Sequence, residues 1–278
     1  MAARVEFGLF VNPSAASYPQ ALEIVRAAEQ GGFDLIGIQD HPYQYRFLDT
    51  WLLIADLLTR TERLRFFPDV ANLPLRPPAM MAKQAASLDV MSGGRFELGL
   101  GAGSFWEGIE AMGGPALSPG ESVDALEEAI PILRACWSGQ RTVDFEGEHY
   151  RLRGFHPGPP PAHPIEIWLG AYRPRMLRLT GRLADGWLPS QGYMPPEQLV
   201  EARKVVDQAA EKAGRDPADV RGLYNVGGID GPPELWVETL AGWVEELSVS
   251  TFILPGEDVA QVELLAAEVL PGVRSAVA

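Results

Sequence analysis

Short apolar runs alternate with longer amphipathic stretches from one end of this chain to the other. Runs at 5–11, 34–38, 64–71, 96–100, 165–169, 186–188, 223–229 and 251–254 read as buried strands, each of strand length and bounded by turn residues. Helical spacing fills the gaps. A first helix starts after Ser17-Tyr18-Pro19 and stops at Gly31-Gly32, and others are predicted at 50–58, 78–91, 174–183, 197–213 and 234–247. A capping box, Ser118 with Glu121, opens a further helix carrying Val123, Leu126, Ile130, Leu133 and Trp137 on one face. A closing helix spans 259–269 and should end at Pro271-Gly272. Eight strand–helix pairs in 278 residues exceed a doubly wound sheet and fit a (β/α)8 TIM barrel.

The rhythm breaks once, at 141–164. Residues 142–153 read as a hairpin turning at Glu146-Gly147, and the following HPGPPPAHP has five prolines in nine residues, which excludes helix and central sheet. Taken alone, the break could be a linker or an inserted loop. With strands on both sides completing one barrel, the expectation is a single domain over 1–278 with an insertion before strand five.

Charge and composition narrow the partners. With 23 Lys+Arg against 37 Asp+Glu the net charge is −14, which argues against nucleic acid and anionic membranes. The single cysteine, Cys136, lies on an apolar helix face, which excludes a disulfide framework and a Cys-rich metal site. His149, His156 and His163 form no zinc-binding spacing, so no metal is expected. The N-terminus is too quickly polar for a secretory leader and no run approaches the roughly 18 residues of a membrane span, so a cytoplasmic protein is expected.

In such a barrel, chemistry sits at the C-terminal ends of the strands. Those ends are Asn12, the segment 39–42 with His41, Asn72, the segment 101–106, the segment 170–173, residues 189–191 and Gly227-Gly228. Gly99-x-Gly101-x-Gly103 fails the dinucleotide fingerprint, because the third glycine position is Ser104 or Trp106. Close glycines instead suit backbone approach to a flat ring or an anion, or tight packing. The segment Gly170-Ala171-Tyr172-Arg173 opens a helix whose N–H groups suit a phosphate, with Arg175, Arg178 and Arg182 as a basic stripe. His41 is the one histidine at a strand C-terminus and the candidate proton-handling group.

Two stretches carry a family resemblance. Residues 77–89, Ser92-Gly93-Gly94-Arg95 and Leu98-Gly99-Leu100-Gly101-Ala102-Gly103 resemble the luciferase-like monooxygenase superfamily, as do Ile167-Trp168-Leu169-Gly170-Ala171 and residues 181–187. The resemblance implies a TIM barrel that holds reduced FMN or the deazaflavin coenzyme F420, with an insertion before strand five covering the site. It implies a non-prolyl cis peptide at Ala71-Asn72 beneath the ring, Gly101, Ala102 and Gly103 facing the ring, and Gly170, Ala171, Tyr172 and Arg173 at the cofactor phosphate. Asn12 and Trp187 join the expected cofactor set, and Tyr43, Phe105, Trp106, Gln191, Tyr193 and Met194 the expected substrate set. His41 matches the position that acts near C5 of the ring in F420-dependent sugar-phosphate dehydrogenases. Those enzymes place a glutamate where this chain has Ser104, and Phe105-Trp106 suggest a more apolar substrate.

Three activities are weighed. The leading expectation is F420-dependent hydride transfer to or from a small organic substrate, since the Leu-Gly-x-Gly-x-Gly form looks closer to F420 members. The alternative is a two-component FMN-dependent monooxygenase served by a flavin reductase, with Phe105, Trp106, Tyr193 and Met194 keeping the pocket dry. The third is a non-catalytic flavin-binding relative. A homodimer is a further expectation, with Trp51 or exposed apolar faces as the contact.

Overall fold

The strand–helix alternation closes on itself. The structure, a computed structural model, describes residues 4–278. Its strands are β1 (Glu6–Val11), β2 (Leu35–Ile38), β3 (Arg65–Pro68), β4 (Ala71–Asn72), β5 (Leu98–Gly101), β6 (Val143–Glu146), β7 (Arg151–Phe155), β8 (Ile167–Leu169), β9 (Gly186–Trp187), β10 (Arg221–Asn225) and β11 (Thr251–Pro255). The helices are α1 (Tyr18–Gly31), α2 (Thr50–Leu58), α3 (Pro78–Ser92), α4 (Trp106–Ala111), α5 (Pro119–Trp137), α6 (Pro174–Leu183), α7 (Pro196–Lys212), α8 (Pro233–Glu246), α9 (Val259–Leu264) and α10 (Leu270–Ala276).

The parallel sheet runs β3-β2-β1-β11-β10-β9-β8-β5-β4. Nine segments fill eight barrel positions because the third strand is broken. β3 pairs with β2, whereas β4 pairs with β5, and Phe66 meets Phe96 across the gap. The unbroken run expected over 64–71 fails at Pro68, which has no N–H to give the ladder. The non-prolyl cis peptide is Asp69-Val70, two residues before the position implied by the resemblance.

Two layers of apolar packing hold the barrel. Most helices bury one face against the outside of the sheet, including the capping-box helix α5, which buries Cys136 as expected. Inside, Leu35, Phe67, Trp168, Leu188, Leu223 and Ile253 form a plug, with Phe67 and Trp168 edge-on at 5.0 Å. Below the plug, charged side chains seal the N-terminal end: Glu6 bridges Arg65 (2.7 Å) and Arg221 (2.6 Å), and Arg65 reaches Glu97 (3.2 Å).

The insertion lies at that same lower end, which overturns its expected role as a cover for the site. The β6–β7 hairpin and its proline loop connect a helix to the next strand, and such connections lie opposite the C-terminal face. Glu128 accepts from the backbone N–H groups of Glu148, His149 and Tyr150. Asp89 accepts from those of Ala162 and His163, while the His163 ring contacts Asp89 (2.7 Å) and Glu97 (3.3 Å).

Two other expectations change. The last helix does not stop at Pro271: a π-helical turn, Leu265–Val269, intervenes, and Pro271 sits in the first turn of α10, where a missing N–H costs least. Trp51 is buried, tilted on Phe96 at 5.4 Å and covered by the Arg76 guanidinium, so it belongs to the core and not to a surface contact. Among the described residues, no helix is long and apolar enough to cross a membrane.

Candidate active site

Directly above the plug, the C-terminal strand ends enclose a cavity of about 920 Å³. That matches the pockets that bury a drug-sized or cofactor-sized ligand. Phe10, Val70, Leu188 and Ile253 form its apolar floor. The glycine-rich strand exists largely to admit that floor. A Cβ on Gly99 would sit 2.3 Å from the Pro68 carbonyl, and one on Gly101 would sit 2.7 Å from Val70 Cγ2. The tight-packing role weighed for these glycines therefore holds for both, since the break in the third strand pushes Pro68 and Val70 against them. Gly103 differs, with φ at +95°, a conformation that side-chain-bearing residues avoid.

His41 forms one side wall. Gln39 Nε2 donates to its Nδ1 at 2.7 Å, which places the ring proton on Nε2. Burial lowers its pKa, partly opposed by the charge of Asp40, so the ring is neutral near pH 7. Asp40 itself is committed elsewhere. Fully buried, it accepts from Arg76 Nε and Nη2 (both 2.8 Å) and from the Asn72 N–H (3.0 Å), tying β4 to the end of β2. Tyr43 stacks on His41 at 5.4 Å and meets Phe105 at 5.2 Å, forming an aromatic shoulder above the histidine.

The opposite wall is polar. Tyr172 donates to Ser190 Oγ (3.2 Å), and Asn225 Nδ2 reaches both Ser190 Oγ (3.2 Å) and Asp69 Oδ1 (3.1 Å). Asp69 is the buried end of this chain of contacts, and burial pushes its carboxyl up to about 7. Three acceptors in the wall have no protein partner: Asp69 Oδ2, Asn72 Oδ1 and Asn225 Oδ1. Each belongs to a residue that lines the cavity, while the atoms themselves are turned into the packed wall.

The far rim is cationic. The N-terminus of α6 opens onto the cavity with Arg173 and Arg175, and that of α5 with Pro119 and Gly120. Arg173 is exposed and makes no ion pair among the described residues, whereas Arg175 is held by Asp124 and Arg182 by Glu127. The basic stripe is thus half neutralised, with Arg173 available to an anion.

The cavity brings together His41, Ala71, Asn72, Gly101, Ala102, Gly103, Gly170, Tyr172, Arg173, Gln191 and Tyr193 from the expected set. Tyr43 and Phe105 stand over His41, and Trp106 packs beside Gly103. Four expected residues serve the scaffold instead. Asn12 is exposed and accepts from the Ser14 N–H, Trp187 donates to the carbonyl of buried Ala171 (3.0 Å), and the Met194 carbonyl accepts from Tyr224 (2.8 Å). Sequence reasoning missed Asp69, Ser190 and Asn225 as a connected set. Asp69 was hidden inside an apparent strand, and only the break after Pro68 turns it into the cavity.

The sequence profile of the luciferase-like monooxygenase family matches residues 4–226. The chain belongs to that family. An uncharacterized protein of Mycobacterium tuberculosis is 38% identical over 169 residues, covering 61% of this chain and 56% of the relative, so the match spans little more than half of that relative's length. The F420-dependent glucose-6-phosphate dehydrogenase of Gordonia bronchialis is 29% identical over 256 residues, covering 87% of this chain and 74% of that one. Among solved structures, an F420-dependent secondary alcohol dehydrogenase superposes with a TM-score of 0.83 at 19% identity, covering 98% of this chain and 99% of the other. A long-chain alkane monooxygenase also reaches 0.83, at 13% identity and 99% and 92% coverage. At such identities these two structures show the shared fold alone.

Proposed function

We propose that this protein is an F420-dependent oxidoreductase that moves a hydride between the deazaflavin ring and a neutral, largely apolar organic substrate. The observation that carries the proposal is the polarity of the cavity: polar side chains on one wall, an arginine free of ion pairs at a helix N-terminus on the rim, and a neutral histidine under aromatic cover opposite. This arrangement suits a long ligand with a heterocyclic ring at one end and an anion at the other. The likeness to the F420-dependent dehydrogenase over most of this chain supports F420 over FMN.

When bound, F420 would supply hydride chemistry at C5 of its ring; the protein supplies position and hydrogen bonding. The Gly101–Gly103 backbone and Val70 would bound the ring on one side, with the polar side chains of Asn72, Ser190 and Asn225 in the wall around it. Arg173 and the first turn of α6 hold the phosphate. His41 Nε2–H hydrogen-bonds and polarises the substrate oxygen, whose proton exchanges with solvent through the open rim. A sugar phosphate fits less well, because the cationic lining, Arg173 and Arg175, lies at one rim and the neutral Ser104 lines the cavity beside Phe105.

The FMN monooxygenase reading requires a site sealed from water. Tyr193 is 78% exposed and Phe105 51%, and Trp106 and Met194 lie outside the cavity lining. That open rim favours hydride transfer, which needs no protected oxygen adduct. Fluorescence titration with F420 and with reduced FMN tests the choice. Micromolar binding of F420 is expected; micromolar binding of FMN with none of F420 overturns it. Binding without turnover would leave the non-catalytic flavin-binding relative.

A further inference from the structure

We propose that Gln39 is a positioning residue that makes His41 a donor only, so that the site takes its substrate through an accepting oxygen, that of a carbonyl compound. This rests on the function proposed above and adds to it the class of substrate.

The segment that carries both residues is held at every position. The Gln39 carbonyl accepts from Thr50 Oγ1 at the buried start of α2 (2.5 Å), Asp40 is locked by Arg76, and the His41 carbonyl accepts from the Gln44 N–H (2.9 Å). Alternation just beyond the end of β2 turns Asp40 away and puts the Gln39 and His41 side chains on one side, where both line the cavity. Gln39 Nε2 has only protons to give, and it gives one to His41 Nδ1 at 2.7 Å. The lone pair of Nδ1 is thereby used, and the proton of the neutral ring sits on Nε2. Nε2 has no protein partner among the described residues and, unlike Asp69 Oδ2 or Asn225 Oδ1, it keeps accessible surface.

The charge that acts on the ring is that of Asp40, itself paired with Arg76, and burial outweighs it. Tyr43 stacks on the ring, while Asp69, Tyr172, Tyr193, Arg173 and Arg175 stand on the opposite wall and the rim. With one nitrogen filled and the other protonated, His41 has no lone pair with which to take a proton, which narrows the proton-handling role expected of it to that of a donor. A carbonyl oxygen satisfies Nε2–H outright. An alcohol oxygen can also accept from it, but the alcohol's own O–H then needs a second, accepting group, and leaving it unpaired costs binding. The site is therefore matched to the carbonyl member of an alcohol–carbonyl pair.

¹⁵N NMR of the unliganded protein reads the tautomer directly, with His41→Ala assigning the resonances and the pH held above 7, where burial keeps the ring neutral. In wild type, Nδ1 should show the shift of an unprotonated nitrogen and Nε2 that of a protonated one. Gln39→Leu keeps the bulk without the amide, so the proton should divide between the nitrogens and the two shifts should approach each other. Gln39→Glu should accept from Nδ1–H, raise the His41 pKa and, once the ring is neutral, exchange the two shifts. A protonated Nδ1 in wild type, or shifts that Q39L leaves unchanged, overturns the assignment of Gln39. If the variants fail to fold, the wild-type shifts alone decide the tautomer.

For the substrate class the probe is acetophenone labelled with ¹³C at its carbonyl, added to the complex with oxidised F420, which has no hydride to give. Its carbonyl resonance should move downfield in wild type and return to the free position in Q39E above the raised pKa. No downfield shift in wild type overturns the carbonyl class and leaves the positioning role of Gln39. Wild type that binds no F420 overturns the function proposed above, and the carbonyl class with it, but not the tautomer.

Discussion

Gln39 Nε2 lies 2.7 Å from His41 Nδ1, and this one contact fixes which histidine nitrogen faces the ligand with a proton. The two residues leave the same strand end two positions apart. Asp40, between them, points the other way into Arg76. His41 therefore offers a hydrogen bond without a full charge, as a neutral substrate oxygen requires.

Replacing His41 by Ala should lower turnover by about 10²- to 10³-fold, the usual cost of removing one hydrogen-bond donor to a developing oxyanion. F420 affinity should stay within a few-fold of wild type, because the ring contacts come from the other wall. Steady-state kinetics beside a fluorescence titration separates the two; unchanged turnover removes His41 from the mechanism.

Arg173→Ala should weaken F420 binding about tenfold, the loss of one charge-assisted contact. The wild-type affinity should also fall with added salt, and the variant's less steeply. Arg182→Ala, whose cation is already held by Glu127, should bind as wild type does.

Arg76→Ala leaves Asp40 fully buried without its counter-charge. Such a loss costs about 3–5 kcal/mol, visible as a lower urea midpoint with an unchanged slope. Asp40 also holds the Asn72 N–H, so cavity binding should weaken in the same variant.

Stability should fall as pH rises across the neutral range, for two reasons with the same sign. Asp69 has a folded pKa of about 7 against 3.8, so the folded state holds the extra proton between about pH 4 and 7 and loses stability as pH climbs through that window. The three-unit difference amounts to at most about 4 kcal/mol. His163 has its pKa raised, chiefly by the hydrogen bond to Glu97, and it also pairs with Asp89. Its contribution is complete below its ordinary 6.5 and disappears as pH passes its folded value. Thermal denaturation from pH 5 to 8.5 should show the decline. D69N should abolish the first part and His163→Gln the second.

Gly99→Ala should destabilise the barrel by about 1–3 kcal/mol, since its methyl meets the Pro68 carbonyl, a backbone atom with little room to move. Gly113→Ala, at a positive φ with open space around it, tests backbone strain alone and should cost about 1 kcal/mol. Equal losses would show that strain and not crowding limits the glycine strand.

The sequence by itself determined the barrel, the strand ends that surround the cavity, and His41 and Arg173 among the residues that line it. Those follow from periodicity and from chain order, which local physics imposes residue by residue. Tertiary structure decided the rest. Pro68 breaks a strand whose hydrophobic pattern runs straight through it, and the break brings Asp69 and Val70 to the cavity and presses them on Gly99, Gly101 and Asn225. The proline insertion was legible as an insertion, but its end of the barrel follows from lying after a helix and before a strand. Asn12, Trp187 and Met194 sit beside strand ends, yet each makes a scaffold hydrogen bond and none lines the cavity. Which polar groups meet in the cavity wall depends on contacts between residues as far apart as Asp69 and Asn225, and no local pattern records them.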